Sequence, residues 1–537
     1  MVDADLIRDD GTRIGINDRI KSNNYFGTVK FIGEVESTEG LWLGVEWDDP
    51  QRGRHNGIHN GKQYFTTKHA TSGSFVRPKK VELGVTCFAA LKDKYGRINE
   101  KNAGVDVEEL YVTGSNNQIT VVEMVGAEKI NIKQSKLENL TDVMLTDTGV
   151  YGAGPQNDLE KFTPNIRELD ISKNLISSWI EIVEICKQLE YLKLLDLSEN
   201  YLQIPENPHT LQNSFLKIKV LCLNKMNYTW QQILQCSSMF PSLKQLHMHS
   251  NCLCRLSAPS TELQKVVLLN LECNDISQWD EILKLADLPN LKTLIISDNN
   301  IEKIYFPNVA KNGKTTMFRS LELLLVNNNR ISEWSSINEL NKLYSLTEVQ
   351  LRGNPLMSTN SDETVRQLLI AKIGGLQTCQ KTQVLAKERR GAEIDYLKRF
   401  GPDWVKAGGN EDSAKNNVSP EFLQQHPRYM ELIQKLGAPE ESEMKPESTK
   451  LKDHLVHIKI TCPDHPDKGT VQKKLPQTMT VQKVKALAKR LFKIHAADVT
   501  VSYVSHRMEG PEIELDNELK QLYFYSIEND DILQVKW

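Results

Sequence analysis

The chain has 537 residues, 39% hydrophobic and 25% charged, with a formal net charge of −4. That length requires several domains, because single cores stop growing at about 250–300 residues. The near balance of charge excludes a global polyanion signature, so no nucleic-acid partner is expected. No run approaches the roughly 18 apolar residues of a membrane span, and the acidic opening MVDADLIRDDGTR lacks a secretory core, so neither membrane nor export is expected. Nine cysteines, scattered through apolar stretches, fit a reducing compartment and point to the cytoplasm.

In chain order, Asn17–Ile20, Tyr25–Gly33 and Gly40–Pro50 are short alternating runs parted by glycine turns, the pattern of a compact antiparallel β domain over residues 1–83. Its most informative stretch is Gly53–Lys80. With Arg52 just before it, the stretch holds seven basic residues (Arg52, Arg54, Lys62, Lys68, Arg77, Lys79, Lys80), and no Asp or Glu occurs from Gln51 to Lys80. The local field is therefore strongly positive. Glycines 53, 57, 61 and 73 permit positive φ and close approach of a ligand backbone, while Tyr64, Phe65 and Phe75 offer flat apolar surface. A cationic groove with an aromatic floor suits an acidic partner ending in a ring. These pieces, over about Asp10 to Val81, resemble the CAP-Gly domain, whose hallmark loop reads Gly-Lys-Asn-Asp-Gly; here it is Gly53-Arg54-His55-Asn56-Gly57. The resemblance implies a grip on acidic C-termini with a terminal aromatic residue, such as the tail of α-tubulin. The candidate tail-binding residues are Arg54, His55, Asn56, Gly57, Lys62, Tyr64, Phe65, Trp42 and Trp47.

Residues 84–154 read as a connector of unresolved fold, with Val105–Leu110 and Gln118–Met124 as strand or helix. Over residues 155–400 the unit L-x-x-L-x-L-x-x-N recurs eight times, its last position falling at 174, 200, 226, 251, 274, 299, 329 and 354. Apart from one insertion, the spacing fits the leucine-rich-repeat period of about 20–29 residues. The Asn side chains are structural, bonding the turn between one repeat and the next. Met226 breaks the series, so a local irregularity is expected there. Trp179, Trp279 and Trp334 follow their Asn by five residues and read as core filler beneath the convex side. Side chains between the leucines face the concave surface, where repeat proteins bind: Asp170, Ser172, Asp196, Ser198, His247, His249, Glu272, Gln350 and Arg352 are the candidates. After Asn354 two helical patterns resemble the cap that closes such arrays.

Residues 401–450, rich in Gly, Asn, Ser, Pro, Glu and Lys, read as a linker around one helix, Pro420–Leu436. Residues 451–537 follow a β-β-α-β-β order and resemble ubiquitin-like domains. Lys452–Lys493 holds ten basic residues against three Asp, and Lys483, Lys485 and Lys489 on the predicted helix are candidate docking residues. The end, Asp531–Trp537, alternates as a last strand, with Ile532 and the Trp537 ring expected to be buried with Val456, Ile458 and Leu487. Such a module docks and is not conjugated.

Several patterns carry no chemistry. Gly313-Lys314-Thr315 has the ending of a phosphate-binding loop, but the required first Gly is Asn308. His454, His457, Cys462 and His465 have zinc-like types, yet on an alternating strand His457 and Cys462 face opposite ways. His247, His249, Cys252 and Cys254 belong to a repeat. No set of nucleophile, base and oxyanion donors is readable, so neither an enzyme nor a cofactor or metal is expected.

The fold class is thus multidomain: a small antiparallel β CAP-Gly domain, an α/β leucine-rich-repeat solenoid and an α+β ubiquitin-like domain. That order resembles the tubulin-folding cofactor E family, the tubulin-specific chaperones E, across nearly the full chain. The resemblance implies a cytoplasmic, cytoskeleton-associated chaperone that holds α-tubulin, acts with other tubulin-folding cofactors in heterodimer assembly and can promote heterodimer dissociation. For the last module it implies a second tubulin cofactor or the proteasome as partner. The alternative is a microtubule-associated adaptor, binding polymer tails through the first domain and signalling partners through the repeats.

Overall fold

The structure, a computed structural model, describes residues 6–7, 13–96, 111–113, 119–121, 136–307, 313–412, 415–440, 444, 455–494, 498–504, 512–525, 527 and 529–537. The chain forms two compact units, Met1–Leu397 with Asp403–Ala438, and Lys398–Pro402 with Pro439–Trp537. Among the described residues no helix is long and apolar enough to cross a membrane.

The first unit begins with a four-stranded antiparallel sheet in sequential order: Arg19–Ser22, Tyr25–Glu34, Leu41–Trp47 and Gly73–Val76. Alternation along Leu41–Trp47 turns Leu43, Val45 and Trp47 into a core with Ile14, Ile20, Val29 and Val81. Trp42, Gly44 and Glu46 therefore share the other face.

The solenoid follows. Its parallel sheet opens with Asp142–Met144, and successive strands pair in register, as in Leu169↔Leu195↔Leu221↔Leu246. This revises the expected connector over 84–154. Leu140, Val143 and Leu145 are a degenerate repeat whose Asn place is taken by Thr148, which donates its hydroxyl to the Leu145 carbonyl at 2.8 Å. Before it, the helix Cys87–Tyr95 buries Cys87, Ala90 and Leu91 in the same core, and Val85–Thr86 pairs with Val150–Gly152. Of the strands expected there, Val105–Leu110 lies outside the described residues. Within Gln118–Met124, Ile119–Val121 pairs antiparallel with Tyr111–Thr113.

The asparagines form a ladder along the coil. Asn251 accepts from Met226 N–H at 2.9 Å and donates to the Leu223 carbonyl at 2.8 Å, and Asn274, Asn299, Asn329 and Asn354 repeat the arrangement. Buried amides satisfied on both sides in this way fix each turn against the next. At the break, Met226 is buried and Tyr228 instead donates its hydroxyl to the Leu202 carbonyl at 2.7 Å. Trp179 and Trp279 open the helices Trp179–Lys187 and Trp279–Leu283 and are buried, as is Trp230 at the start of Trp230–Ser237; Trp334 is partly buried.

The array is closed by the helices Asp362–Lys372 and Ala386–Lys406. The linker expected over 401–450 is also revised. Two helices, Pro420–Gln425 and Tyr429–Leu436, stand where one was expected, parted at His426-Pro427-Arg428. Phe422, His426, Tyr429 and Leu432 are buried, and Tyr429 donates to the Leu397 carbonyl at 2.8 Å, so the segment through Ala438 belongs to the cap.

In the second unit the five-stranded sheet runs Val471–Pro476, Leu455–Thr461, Ile532–Lys536, Thr500–Val504, Ile513–Glu514, with Leu455–Thr461 and Ile532–Lys536 parallel. The helix Val481–Phe492 packs Val481, Val484 and Ala488 into its core. This is the ubiquitin-like arrangement. The last strand is turned one residue from expectation: Leu533 and Val535 are buried with Val456 and Ile458, while Ile532 is half-buried. Trp537 packs against the core edge and stacks on His465, ring centres 4.4 Å apart. His457 is exposed on the strand Leu455–Thr461, whereas Cys462, just past its end, is buried; His454 lies outside the described residues.

Candidate functional site

The face of the first sheet opposite its core carries a cluster of rings centred on Phe75. Around it, ring centre to ring centre, lie His55 at 5.1 Å, Phe65 at 5.4 Å, Tyr64 at 5.6 Å, His59 at 6.1 Å, Phe31 at 6.2 Å and Trp42 at 6.5 Å. Most meet edge to face, the arrangement aromatic quadrupoles favour. Two glycines make the cluster possible. A side chain on Gly44 would collide with the Phe65 ring, and Gly57, at φ 94°, lies against the Phe65 carbonyl. The glycine at 53 and that at 73 serve the chain's own close approach, since each would strike backbone of the facing segment. That corrects the expectation that all four await a ligand's backbone.

The loop residues take defined roles. His55 Nδ1 accepts from the Gly57 N–H at 3.0 Å, which leaves its proton on Nε2. Burial, followed by the nearby His59, holds the His55 pKa below its ordinary value, so the ring is a neutral, apolar-faced wall at physiological pH. Asn56 is half-buried, and its carbonyl accepts from Gln63 Nε2 at 2.9 Å. Tyr64 accepts from the Glu36 N–H at 2.9 Å, and Trp42 donates to Thr38 Oγ1 at 2.9 Å.

Cations edge the rings. Arg77 lies 3.7 Å from the centre of Trp42 and Lys62 lies 5.3 Å from that of Tyr64; Arg54, exposed, precedes His55 in the loop. Arg52 and Lys68 point elsewhere, Arg52 over Trp47 and Tyr25 and Lys68 into a cleft shared with Tyr201. Trp47 does not belong to the groove. It faces the core, 2% exposed, because it shares parity with Leu43 and Val45. Sequence reasoning left out Phe31 and His59; strand alternation would place Phe31 with the buried Val29, and it is the register shift between the two that turns Phe31 to the face of Trp42.

On the solenoid, Asp170, Asp196, Cys222 and His247 stand in one row across neighbouring strands. Asp170 and Asp196 each accept from the N–H two residues on, of Ser172 and Ser198, at 2.8 Å. Burial raises the Asp196 pKa and lowers that of His247. Ser198 is buried and accepts from the Asn224 N–H at 3.1 Å, so it supports the turn and is not offered to a ligand. His249 and Glu272 are half-buried, Gln350 is buried and bonds Glu348 at 2.9 Å, and Arg352 is exposed. Beyond His247 the same surface carries Leu268, Ile295, Leu323 and Leu325, all half-buried, interspersed with Asn270, Thr293 and Glu348 at neighbouring strand positions. These were missed because the repeat consensus leaves such positions free. In the ubiquitin-like module Lys483 is exposed, whereas Lys485 is half-buried and paired with Glu518 at 2.9 Å, and Lys489 is half-buried.

Comparison with known proteins bears on the whole chain. The CAP-Gly domain family matches residues 16–81. A tubulin-specific chaperone E of Xenopus laevis is 49% identical over 97% of this chain and 98% of its own length. The chain belongs to the tubulin-specific chaperone E family. Other members resemble it at greater distance: that of Homo sapiens is 43% identical over 97% of this chain and 98% of its own, and that of Drosophila melanogaster 34% over 96% and 97%. A solved C-terminal ubiquitin-like domain of the mouse tubulin-specific chaperone E is 46% identical, covering 17% of this chain and 93% of that one, with a TM-score of 0.16. In this chain the CAP-Gly domain carries the ring cluster, and the repeat and ubiquitin-like modules follow it.

Proposed function

We propose that the protein is a tubulin chaperone whose CAP-Gly groove grips the acidic, aromatic-ended tail of α-tubulin and whose repeats hold the folded body of the subunit. The observation that carries the tail reading is the Phe75 cluster, a set of rings with Lys62 and Arg77 over two of them and Arg54 exposed in the adjoining loop. A terminal ring finds apolar contacts there while carboxylates meet cations, the two requirements of such a ligand. Arg54, His55, Asn56, Gly57, Lys62, Tyr64, Phe65 and Trp42 act in the groove, joined by Phe31, Phe75 and Arg77.

Family membership over nearly the whole length favours a chaperone of soluble subunits over an adaptor on the polymer. In this reading the chain works in the cytoplasm with other tubulin-folding cofactors, in heterodimer assembly and dissociation. The helix face bearing Lys483 and Lys489 serves as docking surface for a second cofactor or the proteasome. The deciding experiment is gel filtration of the full chain with soluble tubulin and, separately, co-sedimentation with microtubules. A one-to-one complex with α-tubulin supports the reading; binding confined to the polymer overturns it.

A further inference from the structure

At the closed end of the solenoid a cavity of about 330 Å³ is lined by Lys314, Lys342, Arg389, Arg428 and Lys435. Lys372 lies just behind, its ammonium on Asn338 Oδ1 at 2.9 Å and the Gln425 carbonyl at 3.1 Å. Three carboxylates answer these six cations. Glu393, 1% exposed, bridges Arg428 at 3.2 Å and Lys435 at 2.8 Å; Glu431 reaches Arg428 at 3.2 Å; Glu339 pairs with Lys342 at 2.6 Å. The remaining donors meet neutral acceptors. Lys314 bonds the Asn341 and Leu343 carbonyls, the latter at 3.2 Å, and the Arg389 guanidinium bonds those of Ile370 and Leu376. A carbonyl satisfies an N–H but does not cancel the charge behind it.

Some of this has a purely structural use. Ile370 and Ala371, whose carbonyls Arg389 and Arg428 cap, end the helix Asp362–Lys372. A helix C-terminus offers only about half a negative charge, too little for an excess of three. Burial lowers the pKa of Lys314 and Arg389 against the opposing pull of Glu431 and Glu393 respectively, with Arg428 adding to the lowering in both, and burial alone brings Lys372 down to about 8. Gly313-Lys314, set aside as an incomplete phosphate loop, is brought by the fold to the wall of this cavity beside Gly374 and Gly375.

We propose that this cavity binds a compact phosphate-bearing anion, held by Lys314, Lys435 and the buried edge of Arg428 in the field of Arg389. The volume suits a small ligand at the low end of the roughly 300–1,000 Å³ range. Phosphate matches the site because one small group carries several charges and acceptors, enough to offset the excess. The source is either an inorganic polyphosphate or the phosphate chain of a nucleotide. Bound there, the anion ties the turn at Lys314 to the helix Tyr429–Leu436 and braces the cap.

The test is isothermal titration of the full chain with sodium tripolyphosphate, GTP and guanosine, repeated on the Lys314→Gln/Lys435→Gln double variant. Both substituted side chains line the rim of the cavity, the melting temperature of the double variant checks that its fold is kept, and Lys387→Gln on the exposed side of the cap is the control. Tripolyphosphate binds, guanosine does not, and the double variant weakens binding by about a hundredfold, near tenfold for each lost charge-assisted contact. GTP binding as tightly as tripolyphosphate assigns the nucleotide as a source, and tripolyphosphate alone assigns the plain polyanion. Absence of tripolyphosphate binding, or equal binding by the double variant, overturns the proposal.

Discussion

The guanidinium of Arg19 lies 4.2 Å from the centre of the Tyr201 ring while it pairs with Asp48 on its own sheet. A buried cation from the CAP-Gly core edge thus rests on the repeat that precedes the broken rung at Met226. Lys21, 3.9 Å from Asp147, and Val85 N–H, 2.8 Å from the Gly149 carbonyl, add to the same junction. Tyr201→Ala is expected to lose about 1–2 kcal/mol, the value of a desolvated cation–π contact, and Tyr201→Phe to be near neutral. Hydrogen exchange along Arg19–Ser22 reads the change, and tail-peptide affinity stays as it was.

Tyr228 takes over where the ladder lacks its amide. Tyr228→Phe removes the donor and leaves the buried Leu202 carbonyl unsatisfied, at a cost of about 1–3 kcal/mol in urea denaturation. Asn274→Ala is costlier, because it strands the Leu253 N–H and the Asn251 N–H together.

The concave face divides into an acidic part and a more apolar part. Because Asp170 and Asp196 hold their own turns, charge reversal there perturbs structure as well as surface. Ile295→Lys and Leu323→Lys place charge on the apolar part and spare the turns. They are expected to weaken capture of soluble tubulin at least about tenfold, as at the centre of a binding surface, with tail-peptide affinity unchanged. Glu272→Lys, at the border, has a smaller effect on the same pull-down.

The cap loosens in acid. Burial, and then Lys372, brings the His426 pKa down to about 3, and its Nδ1 lies 2.7 Å from the Tyr396 hydroxyl. The unfolded histidine takes its proton near pH 6.5, whereas the folded one resists to about 3, so the unfolded state binds more protons in that window. Stability is therefore full above pH 6.5 and falls as pH drops towards 3. Thermal denaturation against pH is expected to show this slope, and His426→Gln to flatten it.

What the sequence disclosed follows from what each position must do. The ladder was legible because a short Asn amide both donates to and accepts from successive turns, and the CAP-Gly loop because Gly57 is forced by the Phe65 backbone and Gly53 by that of Thr71 and Ser72. The opening repeat was not, since Thr148 replaces the Asn that marks it. Residues 401–450 read as a linker by composition, yet Trp404, Phe422 and Tyr429 among the polar residues are enough to seat the described residues from Asp403 to Ala438 on the cap. Trp47 and Ile532 were misplaced for one reason: in a strand, a parity error of one residue exchanges core and surface.

The central claim is that the Phe75 cluster receives a terminal ring flanked by carboxylates. The most direct measurement is titration of the full chain with an acidic peptide ending in Glu-Glu-Tyr and with the same peptide lacking the final Tyr. The account predicts that loss of the ring costs about 1–3 kcal/mol, comparable to exposing a large apolar side chain, and that binding of the intact peptide weakens with salt. Equal affinity for the two peptides would contradict it.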